Sequence, residues 1–185
     1  MKELSDREII DSVLSGKKEN FTILVKRYEK RAYSLLFRMT RNHEDAEEVL
    51  QDSFVKAYFA LPGFKGEAKF STWFYRIVYN AGLSMVTSKA YKMKQQMSSP
   101  ESEEAFGVEN SGSVDNKNKN LYFLMNQLPV KNSLVMIMYY IDGLSLKEIG
   151  EVLGLSLQNT KVILYRSREK LKELLTKEET AEILL

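Results

Sequence analysis

Residues 144–174 read LSLKEIGEVLGLSLQNTKVILYRSREKLKEL. Leu146, Ile149, Gly150 and Leu153 recur at helical spacing and define one apolar face. Gly154 follows, where helices commonly end in a left-handed residue. Ser156 then stands where a hydroxyl caps the next helix. Gly150 lies near the crossing, where a missing side chain lets two helices approach. Small residue, glycine turn, capping serine and a second amphipathic helix together predict a helix-turn-helix.

The second helix is polar where such motifs meet DNA. Docking brings the N-terminal end of a recognition helix to base edges in the major groove. Asn and Gln can pair there with adenine, and Lys with guanine. Later Arg and Lys residues suit phosphates, which fix position without specifying sequence. Ser156, Gln158, Asn159, Lys161, Val162, Tyr165, Arg166 and Arg168 are therefore expected to face DNA. Leu164, Leu171, Leu174 and Leu175 are expected to pack inward. The plainer alternative is a solvated basic helix face, and the turn signature weighs against it.

The rest of the chain gives this motif a setting. Its 185 residues allow one domain or two small ones. The 27 Lys and Arg nearly balance 25 Asp and Glu, for a net charge of +2. Neither end is basic, with 14 basic against 12 acidic residues over 1–88 and 8 against 8 over 121–185. Any DNA contact must then rest on local patches. Absence of Cys excludes disulfides and cysteine-held zinc. No run reaches the roughly 18 apolar residues of a membrane span, and the charged start does not resemble a signal peptide. A cytoplasmic protein without membrane insertion is expected.

Helical periodicity fails from about Ser88 to Lys119, where SSPESEE and ENSGSVDNKNKN are rich in Ser, Asn, Glu and Gly. Such a composition cannot offset its ordering entropy by burial. The expected organisation is a domain over 1–88, a flexible linker over 89–119 and a domain over 120–185. No stretch alternates like a strand, and Pro62, Pro100 and Pro129 fall at boundaries. The fold class is all-α, two small helical domains with about four helices on each side. Ser5 before Glu8, and Ser145 before Glu148, have capping-box spacing.

In the first domain, residues 21–39 form a long helix with Leu24, Tyr28, Leu35 and Met39 inward. A second helix from Asp45 to Tyr58 puts Ala46, Val49, Leu50, Phe54 and Ala57 on one face. The opposite face holds Glu44, Glu47, Glu48, Gln51 and Asp52. Helix-dipole preference explains Glu44 and Asp45 at the N-terminus, but not Gln51 and Asp52 far inside. His43 and Glu47 have the spacing of a metal-ligand pair, yet nothing in the sequence completes a site. No metal and no cofactor are expected.

Residues 64–85 carry Phe64, Phe70, Trp73, Phe74, Tyr75 and Tyr79. Helical spacing gathers Phe70, Trp73, Phe74, Ile77, Val78 and Ala81 on a core face, leaving Tyr75, Tyr79, Asn80 and Leu83 off it. The preceding loop, residues 63–69, has two glycines and two lysines. A surface that holds an unstacked base needs a polar pocket, aromatics for stacking and Lys for phosphates.

Three stretches bring a family into view. LMNQLP, GLSLKEIGEVLGLS and RSREKL within residues 124–175 resemble region 4 of bacterial sigma factors. DAEEVLQDSFVKAY at 45–58, followed by FSTWFYRIVYN at 70–80, strongly resembles sigma region 2. Region 2, a short linker and region 4 without an intervening domain match the extracytoplasmic-function (ECF) group. That resemblance implies an alternative sigma factor, a binding protein and not an enzyme. It would bind core RNA polymerase, recognise minus-10 and minus-35 promoter elements and help separate the strands. By position, Glu48, Gln51, Asp52 and Val55 are implied to contact the clamp helices of the polymerase β′ subunit, and the second domain the β flap. The 65–71 loop, through Lys65, Lys69 and Ser71, would act with Tyr75, Arg76, Tyr79 and Asn80 on a base flipped from the minus-10 element. The second domain would read the minus-35 element, and an anti-sigma factor is implied as partner. Thr160 and Ile163 stand where the family often shows Val and Arg, which implies the loss of one frequent DNA contact. The family's Arg run after the region 2 helix is thin, reduced to Lys89, Lys92 and Lys94.

Two rival readings remain open on the residues alone. A free-standing regulator would use the helix-turn-helix without polymerase. A helical enzyme would use the acidic cluster near His43, but it lacks a nucleophile, base and oxyanion donor in any plausible arrangement.

Overall fold

The structure is a computed structural model that describes the backbone of residues 4–96, 124–125 and 127–183, and the side chains of 4–90, 124–125 and 127–176. All regular elements among the described residues are helical. The chain divides into two compact units, residues 1–102 and 103–185.

The first unit holds α1 (Asp6–Leu14), α2 (Phe21–Thr40), α3 (His43–Ala60) and α4 (Phe70–Gln96). Ser5 caps α1 in a full capping box with Glu8, and the Ser5 hydrogen bonds lower the Glu8 pKa. α2 ends at Arg41 in the left-handed region, φ 52°. Asn42 then caps α3 by accepting from the Asp45 N–H at 2.9 Å. Tight connections thus fold α2 and α3 against each other. α1 is fastened to α2 by Asp6, whose carboxylate accepts from the Arg27 guanidinium and the Tyr28 hydroxyl.

Leu24, Leu36, Ala46, Ala57, Phe74 and Val78 are fully buried between α2, α3 and α4. Phe74 stacks on Phe54 at 4.6 Å and on Phe70 at 5.8 Å. Near its middle, α4 passes so close to α2 that a Cβ on Gly82 would lie 2.8 Å from Leu36 Cδ2.

The observed α4 departs from expectation in two ways. The boundary at residue 88 cuts through a continuous helix, since α4 runs on to Gln96. Residues 97–119 of the expected linker lie outside the described residues. The buried face of α4 is also displaced from the expected one. Phe70, Thr72, Phe74, Tyr75, Val78 and Gly82 are buried, while Trp73, Ile77 and Ala81 are only half-buried. At 3.6 residues per turn this is a rotation of roughly a quarter turn. The cause is packing against both α2 and α3, which widens the buried arc towards Tyr75.

The second unit contains α5 (Val130–Tyr140), α6 (Leu146–Leu153) and α7 (Leu157–Ile183). α6 begins with the Ser145–Glu148 capping box and ends at Gly154, φ 66°. Leu134, Val135, Ile149, Val152, Leu164 and Leu171 are buried as the core. Leu175 is 40% exposed, against expectation. Leu50 and Leu174 are half-buried rather than fully enclosed.

Candidate functional site

Three surfaces gather most of the polar residues expected to bind. The first is the exposed side of α3. Glu44, Glu47, Glu48, Gln51, Asp52 and Val55 are all exposed there. The stripe ends on Phe59, 76% exposed, which the sequence pattern did not single out. Its position four residues beyond Val55 could have revealed it, since i and i+4 share a helix face. Asp45 behaves differently from its neighbours. It is buried, and Lys89 of α4 donates to it at 2.7 Å. Lys89, the first of the thin basic run with Lys92 and Lys94, is thus engaged within the unit, while the side chains of the other two lie outside the described residues.

His43 stacks on Phe37 at 4.4 Å and its Nδ1 pairs with the Tyr33 hydroxyl. No group of three or more His, Cys, Asp or Glu is placed to hold a metal among the described residues.

The second surface runs from the loop before α4 along that helix. Lys65, Lys69, Arg76 and Asn80 are exposed or nearly so, and Ser71 and Tyr79 half-buried. Burial of the Tyr79 ring raises its pKa, so its hydroxyl keeps its proton. Arg76 and Asn80 stand one turn apart, and with Leu83 they form the outward edge of α4. Tyr75 does not join them. It is 1% exposed, with its ring 6.1 Å from that of Tyr28. The quarter-turn displacement carries it inward, so its expected place on the outward surface is corrected. The loop is shaped by Gly66, φ 74°, where an added Cβ would meet the Arg7 guanidinium at 2.6 Å. Arg7, far away in sequence, is therefore brought beside the lysine loop; only folding reveals this.

The third surface is the outward face of α7. Ser156 Oγ accepts from the Asn159 N–H at 3.2 Å, and this cap orients the first turn. Gln158, Asn159, Lys161, Val162, Tyr165 and Arg166 are exposed. Opposite them lie Thr160, Leu164, Ser167 and Leu171, all buried. Thr160 is fully enclosed and its hydroxyl donates to Ser156 O at 3.0 Å. Ile163, the other departure from the family pattern, is half-buried. A Cβ on Gly150 would stand 2.7 Å from Leu155 O and 3.2 Å from Thr160 Oγ1, so the helix crossing does require glycine. Arg168 is exposed, but its Nε donates to the Tyr140 hydroxyl at 2.6 Å.

Chemically, these surfaces can bind and orient, through an acidic and apolar stripe, a polar edge beside a lysine loop, and a recognition helix. Comparison with known proteins identifies both units. Residues 24–91 match sigma-70 region 2, and residues 118–171 match sigma-70 region 4. The ECF RNA polymerase sigma factor SigW of Bacillus subtilis is 29% identical over 188 residues, covering 92% of this chain and 97% of the relative. The ECF RNA polymerase sigma-E factor of Haemophilus influenzae is 27% identical over 181 residues, covering 92% and 95%. Among solved structures, the Bartonella quintana sigma factor RpoE, in complex with the anti-sigma factor NepR, superposes with a TM-score of 0.68 at 19% identity, covering 85% and 98%. CnrH, in complex with the cytosolic domain of CnrY, gives 0.64 at 23%, covering 93% and 97%. The two structures share the fold.

Proposed function

The chain belongs to the sigma-70 family, in its extracytoplasmic-function group, and on that premise we propose how its surfaces divide the work of an alternative sigma factor. Glu48, Gln51, Asp52 and Val55 contact the β′ clamp helices of core RNA polymerase. The second unit meets the β flap. Lys65, Lys69, Ser71, Arg76, Tyr79 and Asn80 hold the minus-10 strand and a base flipped from it, with Tyr75 supporting them from beneath. Ser156, Gln158, Asn159, Lys161, Val162, Tyr165 and Arg166 engage the minus-35 element. The polymerase performs the chemistry, and this chain is not itself an enzyme. An anti-sigma factor restrains it, by analogy with the complex of RpoE and NepR. It acts in the cytoplasm, and no described helix is long and apolar enough to cross a membrane.

One observation carries this reading: a region 2 bundle with an exposed acidic stripe and polar edge shares a chain with a capped recognition helix. Strand separation exposes single-stranded DNA, which a lysine loop and a half-buried tyrosine are suited to track and stack against. Reconstitution with core polymerase on genomic fragments, followed by mapping of transcript starts, tests it. Initiation at defined sites is expected. Specific duplex binding without polymerase, indifferent to Glu48 and Asp52, would instead identify a free-standing regulator.

A further inference from the structure

Two adjacent residues of α7 reach widely separated points on α5. Ser167, fully buried, accepts from Asn132 Nδ2 at 3.0 Å. Arg168 donates through Nε to the Tyr140 hydroxyl at 2.6 Å. Its guanidinium carbon lies 5.4 Å from the centre of the Tyr140 ring and 5.6 Å from that of Tyr139. The two rings meet edge to face at 5.0 Å. Asn132 and Tyr140 are eight residues apart, about 12 Å along a helix. The two bonds therefore form a fork that straddles the crossing of α7 over α5.

The position of Arg168 on α7 agrees with this. Helical periodicity sets it beside the buried row of Thr160, Leu164, Ser167 and Leu171. Gln158, Val162, Tyr165 and Arg166 lie away from that row, exposed. Exposed Lys161 shares the flank of Arg168 two turns nearer the N-terminus, so it is the bond to Tyr140 that distinguishes Arg168. A guanidinium over an aromatic face is held by the ring quadrupole, and here a hydrogen bond fixes it as well. We infer that Arg168 is a positioning residue for minus-35 recognition, setting the tilt of α7 through Tyr140, and not a phosphate contact. This rests on the reading of α7 as the recognition helix. From Arg168 to Gln158 is about 15 Å, so a tilt of about 10° moves the reading end by more than about 2 Å. That displacement exceeds the tolerance of a hydrogen bond to a base edge.

The test uses holoenzyme, formed from the full chain and core polymerase, on a promoter with a mapped minus-35 element. The same DNA with that element scrambled is the reference, and both are titrated with salt. Tyr140→Phe and Arg168→Ala are each expected to lower the promoter-to-scrambled affinity ratio several-fold, with the salt slope unchanged. The double substitution is expected to lose no more than Arg168→Ala alone, which already removes both the hydrogen bond and the ring contact. A general loss of stability in a protein that remains folded would not move this ratio. The inference is overturned if Arg168→Ala weakens both DNAs equally and makes the salt slope shallower by about one, as for a phosphate contact. It is equally overturned if Tyr140→Phe, which keeps the ring and serves even where Arg168→Ala fails to fold, leaves the ratio unchanged. Wild-type holoenzyme that cannot distinguish the two DNAs would overturn the functional reading itself, and this inference with it.

Discussion

A methyl group added at Gly150 would press on the Leu155 carbonyl, a backbone atom that cannot rotate away, and on Thr160. Gly150→Ala is expected to cost about 1–3 kcal/mol, as overpacking of a tight contact does, read as a lower thermal midpoint of the full chain. This residue was legible in sequence because a glycine within an amphipathic helix, just before a turn, marks a close approach of two helices. Tyr75 was not legible. Its i+4 partner Tyr79 and its neighbour Arg76 reach the surface, yet Tyr75 itself is buried against Tyr28. Tyr75 and Asn80 should therefore separate by experiment. Tyr75→Ala is expected to cost about 3–5 kcal/mol of stability, as removal of a buried aromatic ring does. Asn80→Ala should leave stability within about 0.5 kcal/mol, as exposed substitutions do, while reducing promoter opening with core binding intact. Denaturant titration and base-analogue fluorescence at the minus-10 element check the pair. Equal destabilisation by both would contradict the placement of α4.

Helix ends were the most readable elements, because a cap is a local interaction. Both predicted capping boxes form, at Ser5–Glu8 and Ser145–Glu148. Ser145→Ala removes the acceptor for the Glu148 N–H, 3.2 Å away. The expected cost is about 1 kcal/mol, visible in thermal denaturation, with α6 otherwise intact. The end of α4 was less readable. Composition suggested a linker from residue 89, but helix continues to Gln96 and Lys89 reaches back to buried Asp45. An ion pair between residues 44 positions apart leaves no mark in local periodicity. It holds the far part of α4 against the start of α3, so the acidic stripe and the polar edge belong to one packed body.

At the scale of the molecule, the proposed function has two units bind at separate sites, and linking binding modules makes each later contact effectively intramolecular. Reversing charge on the α3 stripe tests this division. Glu48→Lys with Asp52→Lys, both exposed, is expected to abolish association with core polymerase while leaving the thermal midpoint nearly unchanged. Co-sedimentation with core enzyme checks it, and undiminished association would remove the stripe from the proposed interface. Spacing and motif were enough for the all-α class, the helix-turn-helix, the caps and the family. Those features depend on spacing within a turn or two, or on motifs long enough to be specific. Tertiary structure alone decided which flank of α4 is buried, that Asp45 is engaged by Lys89, that Arg7 stands beside the Gly66 loop and that Arg168 is tied to Tyr140. Each of these depends on where a second helix lies. Helical periodicity fixes the angle between residues on one helix but not the direction from which its neighbours pack.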